Sequence, residues 1–416
     1  MSDDLHVDGA GEVPSGVDGR LADPGFLVHA DPAEVLGLVD AASGPAARLA
    51  AAVYRASAHL YRGATAGVRR QLLALDAARY GDLELSARIN ATPVEGVSTG
   101  PWGVEWAAGM VDHCLWQPLA GHTSGVSAVS TGLVDGRPVV VTGSYDMTVR
   151  VWDLTTGQPV CEPLGHTDEV NAVAVVEGWS VAVTGSDDFT VRVWDLATGR
   201  LIGEPFSHAD KVLAVATGMV AGLPVVVAGG WDGAVRVWDL ARYQPVGEPL
   251  TGHTGPVLAV ATGVVEGRSV AVSGSDDFTV RVWDLATGRP VGEPFTGHAD
   301  WVLAVATGVV EGRSVAVTGS DDFTVRVWDL ATGRPVGEPL TGHTDAVWAV
   351  ATGVVDSCPV AVTGGRDGTV RVWDLTTGQQ VGSELVFPAP VAAVAVAADS
   401  RLVVGFGPET AVLARC

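Results

Sequence analysis

The sequence predicts an all-β protein built from repeated four-stranded units, with a small α-helical segment before them. Three observations lead to this prediction. Residues 252–297 are repeated almost letter for letter in residues 297–342. The apolar runs of the repeat, such as residues 257–261, are rich in valine and too short for helices. Acidic residues, glycines and prolines separate these runs, as turn residues do.

Each repeat predicts its own sheet. Residues 257–261 and 269–273 form a hairpin across a turn at Glu266 and Gly267. Residues 279–283 alternate polar and apolar side chains and predict a third strand. Because proline is confined to sheet edges, Pro290 places the fourth strand outermost.

The repeat also carries a Gly-His pair, a Trp-Asp pair about thirty residues later, and a length in the forties, which resembles the WD-repeat β-propellers. The resemblance implies sheets arranged as blades around a channel. A degenerate seventh unit aligns without gaps at residues 402–416, with Gly405, Glu409 and Arg415 where other units carry Thr, Asp and Trp. Its missing outer strand is predicted from residues 113–119. We therefore expect a seven-bladed propeller over residues 112–416, closed by both ends of the domain.

In WD-repeat proteins a His, a Ser or Thr, an Asp and a Trp of one blade form a hydrogen-bonded set. The resemblance places five full sets here: His122, Thr142, Asp146 and Trp152; His166, Thr184, Asp188 and Trp194; His253, Ser273, Asp277 and Trp283; His298, Thr318, Asp322 and Trp328; and His343, Thr363, Asp367 and Trp373. The third unit keeps His208, Asp232 and Trp238, but Ala228 replaces its hydroxyl residue. We expect this blade to be the least stable of the six, by about 1 kcal/mol.

A serine-hydrolase triad would use the same residue types. A triad needs one exposed and activated hydroxyl, whereas this arrangement recurs in unit after unit. We therefore expect a structural role for these residues and no catalytic residue. The sequence also shows no metal-ligand spacing and no cofactor motif.

Partner-binding residues are predicted from a comparison of two nearly identical units. Between residues 256–300 and 301–345 the largest difference is Pro256 against Trp301. By resemblance, this position and the one before each turn Asp lie on the loop face, where WD propellers commonly hold partners. The candidates are Tyr145, Asp187, Lys211, Trp231, Asp276, Trp301, Asp321, Trp348 and Arg366. The alternative is that some of these tryptophans pack against neighbouring loops. Arg192, Arg281 and Arg326 are predicted to be solvated.

Charge and cysteine content restrict the partners and the compartment. The formal charge of −23 would repel nucleic acid and acidic lipid, so we expect protein or peptide partners. Lys211 is the sole lysine and does not stand in a P-loop motif. Cys114, Cys161, Cys358 and Cys416 show no paired spacing and predict reduced thiols of a cytoplasmic protein.

Three segments precede the repeats. Residues 1–30 predict a disordered acidic arm. Residues 31–91 predict a helical linker domain with helix starts at Asp31 (capping box with Glu34), Pro45, Thr65 and Asp82. Residues 92–111 predict a connector, in which residues 102–106 form either an extra strand or an aromatic clip against the propeller rim.

The order of helical segment, Trp-rich connector and repeats resembles the C-terminal half of actinobacterial STAND-type signalling ATPases, which join a P-loop switch to a propeller sensor. The resemblance implies a non-enzymatic interaction scaffold or ligand-sensing propeller in a signalling assembly. The alternative is a sensor subunit, or a truncated C-terminal half, that acts with a separate P-loop ATPase. An enzyme is the third hypothesis.

Overall fold

The computed structural model describes residues 16–61, 63–95, 102–108, 121–176 and 178–415. The chain divides into two compact units, Met1–Thr99 and Gly100–Cys416. Within the described residues, no helix is both long enough and apolar enough to cross a membrane.

The described part of the first unit is helical. Its helices are α1 (Gly16–Leu21), α2 (Pro24–His29), α3 (Pro32–Leu38), α4 (Pro45–Ala56), α5 (Ala58–Tyr61), α6 (Ala66–Arg79) and α7 (Leu83–Asn90), with a 3₁₀ turn at Val39–Ala41. The carboxylate of Asp31 caps α3 by accepting the N–H of Ala33 at 2.8 Å. Thr65 and Asp82 cap α6 and α7 in the same way. Polar side chains therefore fix three of the four predicted helix starts by satisfying free N–H groups. The fourth helix, α4, begins at Pro45 as predicted but has no side-chain cap.

Two sequence predictions for this unit are corrected. The prediction of a disordered arm is wrong for residues 16–29, which form α1 and α2 because Asp23 caps α2 and Leu21, Leu27 and Val28 are fully buried. Residues 1–15 lie outside the described part of the chain. The predicted capping box is also wrong, because the carboxylate of Glu34 binds the guanidinium of Arg20 instead of the backbone N–H of Asp31.

The second unit is a β-propeller of seven antiparallel sheets among its described residues. Strand β1 (Trp102–Ala108) opens the unit and pairs in blade 7. Blade 1 contains β2 (Val126–Val134), β3 (Arg137–Ser144), β4 (Thr148–Asp153) and β5 (Leu164–Gly165), and blade 2 contains β6 (Val170–Val176), β7 (Val181–Ser186), β8 (Thr190–Asp195), β9 (Arg200–Leu201) and β10 (Phe206–Ser207). Blade 3 contains β11 (Val212–Val220), β12 (Leu223–Gly230), β13 (Val235–Asp239) and β14 (Gln244–Pro245), blade 4 contains β15 (Val257–Val265), β16 (Arg268–Ser275), β17 (Val280–Asp284) and β18 (Arg289–Pro290), and blade 5 contains β19 (Val302–Val310), β20 (Arg313–Ser320) and β21 (Val325–Asp329). Blade 6 contains β22 (Val347–Val355), β23 (Cys358–Gly365), β24 (Thr369–Asp374), β25 (Gln379–Gln380) and β26 (Leu385–Val386), and blade 7 contains β27 (Val391–Val396), β28 (Leu402–Phe406) and β29 (Glu409–Arg415).

The first strand of each blade contacts the first strand of the next, and β27 contacts β2, so the ring is closed. The second strand of each blade also approaches the first strand of the next blade, and it carries a glycine at the point of approach. A Cβ on Gly319 would lie 2.6 Å from Cγ1 of Val347 in the next blade, and one on Gly405 would lie 2.7 Å from Cγ1 of Val126. Because the interior is close-packed, these glycines let neighbouring sheets approach.

The outer strand of blade 7 differs from the prediction. It is β1, which pairs with β29 from Trp102↔Arg415 to Ala108↔Thr410. The strand hypothesis for residues 102–106 is therefore confirmed. The prediction of a strand at residues 113–119 lies outside the described residues. The blade combines strands from both ends of the unit, as predicted.

The gap-free alignment of blade 7 is also wrong, by one residue at the hydroxyl position and by two at the tryptophan position. Gly405 pairs with Ala393 and Thr410, as Gly185 of blade 2 pairs with Ala172 and Val191. Val404 therefore occupies the position of the hydroxyl residue, and Leu413 occupies the position of the tryptophan. Both are buried, so apolar packing replaces the polar set in this blade.

Candidate functional site

Five blades hold the same buried polar set. In blade 5, His298 contacts the Asp322 carboxylate through Nδ1 at 2.9 Å and the Thr318 hydroxyl through Nε2 at 2.8 Å. The indole Nε1 of Trp328 donates to the same hydroxyl at 2.9 Å. Equivalent contacts join His122, Thr142, Asp146 and Trp152; His166, Thr184, Asp188 and Trp194; His253, Ser273, Asp277 and Trp283; and His343, Thr363, Asp367 and Trp373.

The hydroxyl of each set is unsuited to nucleophilic catalysis. Thr318 and its four counterparts have no exposed surface, so their oxygens cannot reach a substrate. Their role is to satisfy buried donors, each of which would otherwise cost about 1–3 kcal/mol. Burial disfavours the charged Asp188, but hydrogen bonds from Thr190 and His166 outweigh it and lower the pKa of Asp188 to about 2. Within the described part of the chain, no cluster of His, Cys, Asp or Glu could hold a metal ion.

Blade 3 replaces the hydroxyl by an arginine contact. Ala228 is fully buried, and Nη1 of Arg236 lies 3.0 Å from Nε2 of His208. Nη2 of Arg236 donates to Asp232 at 2.7 Å. Burial and the Arg236 charge together lower the pKa of His208 to about 4. His208 is therefore neutral near pH 7.

The repeated arginines of the third strands are not the solvated residues that the sequence predicted. The Arg192 side chain is 19% exposed, and it donates to the Gly165 carbonyl at 3.0 Å and to Asp188 at 3.2 Å. Arg281 and Arg326 are half-buried as well. A Cβ on Gly252 would lie 3.0 Å from Nη1 of Arg281, and one on Gly297 would lie 3.3 Å from Nη1 of Arg326, so both guanidinium groups pack against the loop before the histidine.

The predicted partner-binding residues lie at one end of the inner strands. In blades 1 to 6, the residue before the turn Asp donates its N–H to the carbonyl of the residue before the inner strand, and in blade 7 Gly407, which precedes Pro408, donates in the same way. Trp231 donates in this way to Lys211 at 3.0 Å, and Asp321 donates to Trp301 at 3.0 Å. The pairs are Tyr145 with Gly125, Asp187 with Glu169, Trp231 with Lys211, Asp276 with Pro256, Asp321 with Trp301, Arg366 with Ala346, and Gly407 with Pro390. We call these pairs the loop face, together with Trp348, the residue that precedes each inner-strand partner (such as Asp300 and Asp345) and the residue that follows each turn Asp.

Trp348 occupies a different position from the other predicted residues. Ala346 is the counterpart of Trp301 in blade 6, because each pairs with the residue before the turn Asp. Trp348 lies two residues further on, at the β-bulge that shifts the register of β22 between Val347 and Ala349. Its ring lies 6.0 Å from the guanidinium carbon of Arg366. The two residues therefore form one contact, in a geometry that favours a cation–π interaction.

The aromatic side chains of the loop face are exposed. Trp231 is 54% exposed, Trp301 48% and Trp348 36%, and Tyr145 is exposed to a similar degree. The alternative that these tryptophans are covered by neighbouring loops does not hold for the three. Large exposed aromatic side chains are a common feature of binding surfaces.

Sequence analysis missed a second group of exposed aromatic residues on the same face. Phe189, Phe278 and Phe323 follow the turn Asp of blades 2, 4 and 5, and each is more than two-fifths exposed. Their φ angles are 64°, 68° and 67°, in the left-handed region that glycine adopts without strain. Gly233 and Gly368 hold this position in blades 3 and 6. The signal in the sequence is Asp-Phe where the third and sixth units have Asp-Gly and the first has Asp-Met.

The acidic residues of the loop face differ in their surroundings. The Asp187 carboxylate binds the Lys211 ammonium and accepts from Asn171 Nδ2 at 2.8 Å. Burial and the carboxylates of Asp300 and Asp345 raise the pKa of Asp321. Asp276 fills the space that a Cβ on Gly255 would take, and burial and Asp277 raise its pKa.

The other end of the inner strands carries its own exposed residues. Leu133, Met219, Val264, Val309 and Val354 occupy equivalent places there, and we call them the opposite face. Two surface cavities of about 580 and 640 Å³ lie elsewhere, at the outer parts of the blades beside Val160 and Leu340. Neither cavity is lined by the loop face.

Comparisons with known proteins agree with this geometry. A family model described as "WD domain, G-beta repeat" matches residues 113–153, 157–195, 199–239, 244–284, 288–329 and 333–374. The crystal structure of the WD40 beta propeller domain of Doa1 matches with a TM-score of 0.61 and 21% identity, covering 75% of this chain and 97% of that chain. At that identity the likeness shows the fold alone. A comparison with curated proteins finds no match.

Proposed function

Because the chain belongs to the WD-repeat family, we propose that it is a non-enzymatic scaffold or ligand-sensing propeller that binds a partner protein or peptide on its loop face. The observation that carries this proposal is the exposure of Trp231, Trp301 and Trp348 at one mouth of the ring. Tryptophan is enriched among residues that dominate binding energy, and its exposure has no benefit for folding.

A capture experiment tests this function. The tagged protein is used to recover partners from its native cells, beside a loop-face variant with Trp231→Ala, Trp301→Ala and Trp348→Ala. The proposal predicts that at least one specific protein is recovered by the intact chain and lost from the variant, because truncation of a binding tryptophan costs about 2 kcal/mol or more.

The chain supplies a matched control. Val264→Ala, Val309→Ala and Val354→Ala truncate exposed apolar residues at the other end of β15, β19 and β22. This opposite-face variant should keep the partner, and both variants should keep the melting temperature of the intact chain. Loss of the partner from both variants, or from neither, would contradict a site on the loop face.

We also propose that the scaffold acts in a cytoplasmic signalling assembly. The order of a helical unit followed by a propeller supports a role in a signalling assembly, and free Cys161 and Cys358 suit a cytoplasmic location. The second candidate is a sensor subunit, or a C-terminal half, that acts with a separate P-loop ATPase. It predicts that such an ATPase is recovered with the intact chain and that its ATP hydrolysis rate changes on binding. An enzyme is the third candidate.

A further inference from the structure

Carboxylates outnumber cations on the loop face. In blades 2 and 3 a single cation, Lys211, binds Asp187 and lies among four carboxylates, those of Asp168, Glu169, Asp187 and Asp210. In blades 5 and 6, the carboxylates of Asp300, Asp321 and Asp345 act on one another, and the single guanidinium of Arg366 opposes them. Nε of Arg366 lies 3.9 Å from Oδ2 of Asp345, which is a loose and exposed contact. Blades 5 and 6 therefore also hold an excess of negative charge, and there it lies beside Trp301.

This excess of negative charge disfavours the ionised form of Asp321 in the free protein. Burial, followed by the charges of Asp300 and Asp345, raises the pKa of Asp321, and the opposing effect of Arg366 does not cancel them. Like charges held close together disfavour each other's ionised form. A cation brought by a ligand would relieve this repulsion, because an opposite charge within a few ångströms favours the ionised carboxylate.

An exposed indole lies beside these carboxylates. The carbonyl of Trp301 accepts the N–H of Asp321 at 3.0 Å, and Asp300 directly precedes Trp301 in the chain. Arg366 covers the ring of Trp348, whereas within the described part of the chain no cation covers the ring of Trp301. Tryptophan is the aromatic residue that attracts an ammonium or guanidinium group most strongly. An ammonium or guanidinium group could therefore contact the ring of Trp301 and the carboxylates at the same time.

We propose that the partner of the loop face is a polypeptide segment that carries Lys or Arg side chains, held by Trp301 and the carboxylates of Asp300, Asp321 and Asp345. This inference rests on the function proposed above and names the chemistry of the partner. The formal charge of −23 attracts such a segment over distance and disfavours an acidic one. Added salt should weaken the complex, because surface charges are screened.

A peptide selection tests the proposal with the intact chain. A phage-displayed library of random peptides is panned on the protein, and the dissociation constants of the enriched peptides are measured by fluorescence anisotropy. The test variant is Asp300→Asn, Asp321→Asn and Asp345→Asn. Asn keeps an oxygen that can accept the N–H of Trp301 and of Ala346, as Asp300 and Asp345 do at 2.9 and 2.8 Å.

The control variant removes the same charge elsewhere. Asp135→Asn, Glu266→Gln and Glu311→Gln lie at exposed turns next to the opposite face. We expect the enriched peptides to carry Lys or Arg. Binding should weaken about tenfold or more in the test variant and less than about twofold in the control. Replacing Arg of a peptide by neutral citrulline should weaken binding to the same extent.

The outcomes separate this inference from the proposed function. Peptides that depend on Trp301 but lack Lys and Arg, or that bind the test variant as tightly as the intact chain, would overturn the basic partner and leave loop-face binding in place. Peptides whose binding survives Trp231→Ala, Trp301→Ala and Trp348→Ala together would contradict both. A selection that yields no peptide dependent on these tryptophans would also count against both.

Discussion

His208 shows how a single residue couples pH to stability. Burial and Arg236 lower its folded pKa to about 4 from an ordinary value of about 6.5, so the fold disfavours the protonated form. Stability is then fully present above about pH 6.5 and falls as the pH drops toward about 4, because the unfolded chain binds the proton first. We predict a loss of about 1–3 kcal/mol over this window.

Urea unfolding at a series of pH values checks this prediction. The variant His208→Asn should show a shallower loss between about pH 6.5 and 4. His166 and His343, whose pKa values burial also lowers, should retain part of the slope in that variant. The control His59→Asn changes an exposed histidine of the helical unit and should leave the slope intact. A slope that His208→Asn does not change would contradict the account. That blade 3 is the least stable of the six stays a prediction, which hydrogen exchange can test.

Phe278 and Phe323 accept a strained backbone and remain exposed, which indicates a role in binding. Phe278→Gly and Phe323→Gly would give these blades the residue that blades 3 and 6 carry. We predict that unfolding free energy changes by less than about 1 kcal/mol, because released strain offsets the added freedom of the unfolded chain. Partner affinity should fall severalfold in the same anisotropy measurement. Unchanged affinity with a large loss of stability would assign the phenylalanines to folding.

Residue types and spacing made the polar sets predictable, because the same four groups recur at fixed offsets. The same reasoning missed Phe189, Phe278 and Phe323, because the identity of a residue does not reveal its exposure or its φ angle in the folded chain. It also placed Trp348 beside Arg366 correctly but as the counterpart of Trp301. Only the backbone pairing of Ala346 with Arg366 identifies the true counterpart.

Among the elements, contact between neighbouring sheets depends on glycines of the middle strands. Gly319→Ala would place a Cβ 2.6 Å from Cγ1 of Val347 and 3.0 Å from its carbonyl oxygen, so the blades must separate. Gly308→Ala in the same blade would place it 3.4 Å from Thr352, an ordinary contact. We predict a loss of about 1–3 kcal/mol for the first and less than about 1 kcal/mol for the second, measured by urea unfolding. Equal effects would show that these blades do not interlock as described.

The strand pattern of the repeats was predictable because it is local, whereas two features of blade 7 were not. The pairing of β1 with β29 joins residues at opposite ends of the unit, and no local pattern selects it over residues 113–119. Beyond the shift at the hydroxyl position, the tryptophan position moves by a further residue, to Leu413, because the turn between β28 and β29 is one residue shorter than the turn between β7 and β8. An alignment without gaps cannot show such a shift.

At the scale of the whole unit, β1 closes the ring, and two truncations test this directly. A chain beginning at residue 100 keeps the second unit complete, whereas one beginning at residue 110 lacks β1 but keeps residues 113–119. We predict that the second chain melts at least about 5 °C lower and self-associates, because β29 then presents an unpaired edge. Calorimetry and size-exclusion chromatography measure both effects. Equal melting temperatures and monomers in both chains would contradict closure by β1.

Contact between a partner and the loop face is the central claim, and site-specific photo-crosslinking tests it most directly. Benzoylphenylalanine is placed at Trp301 in one protein and at Val309 in another, at the two ends of the same inner strand. Both proteins are irradiated in their native cells. The account predicts a discrete adduct with one partner protein from position 301 and none from position 309. The same adduct from both positions, or an adduct from position 309 alone, would contradict it.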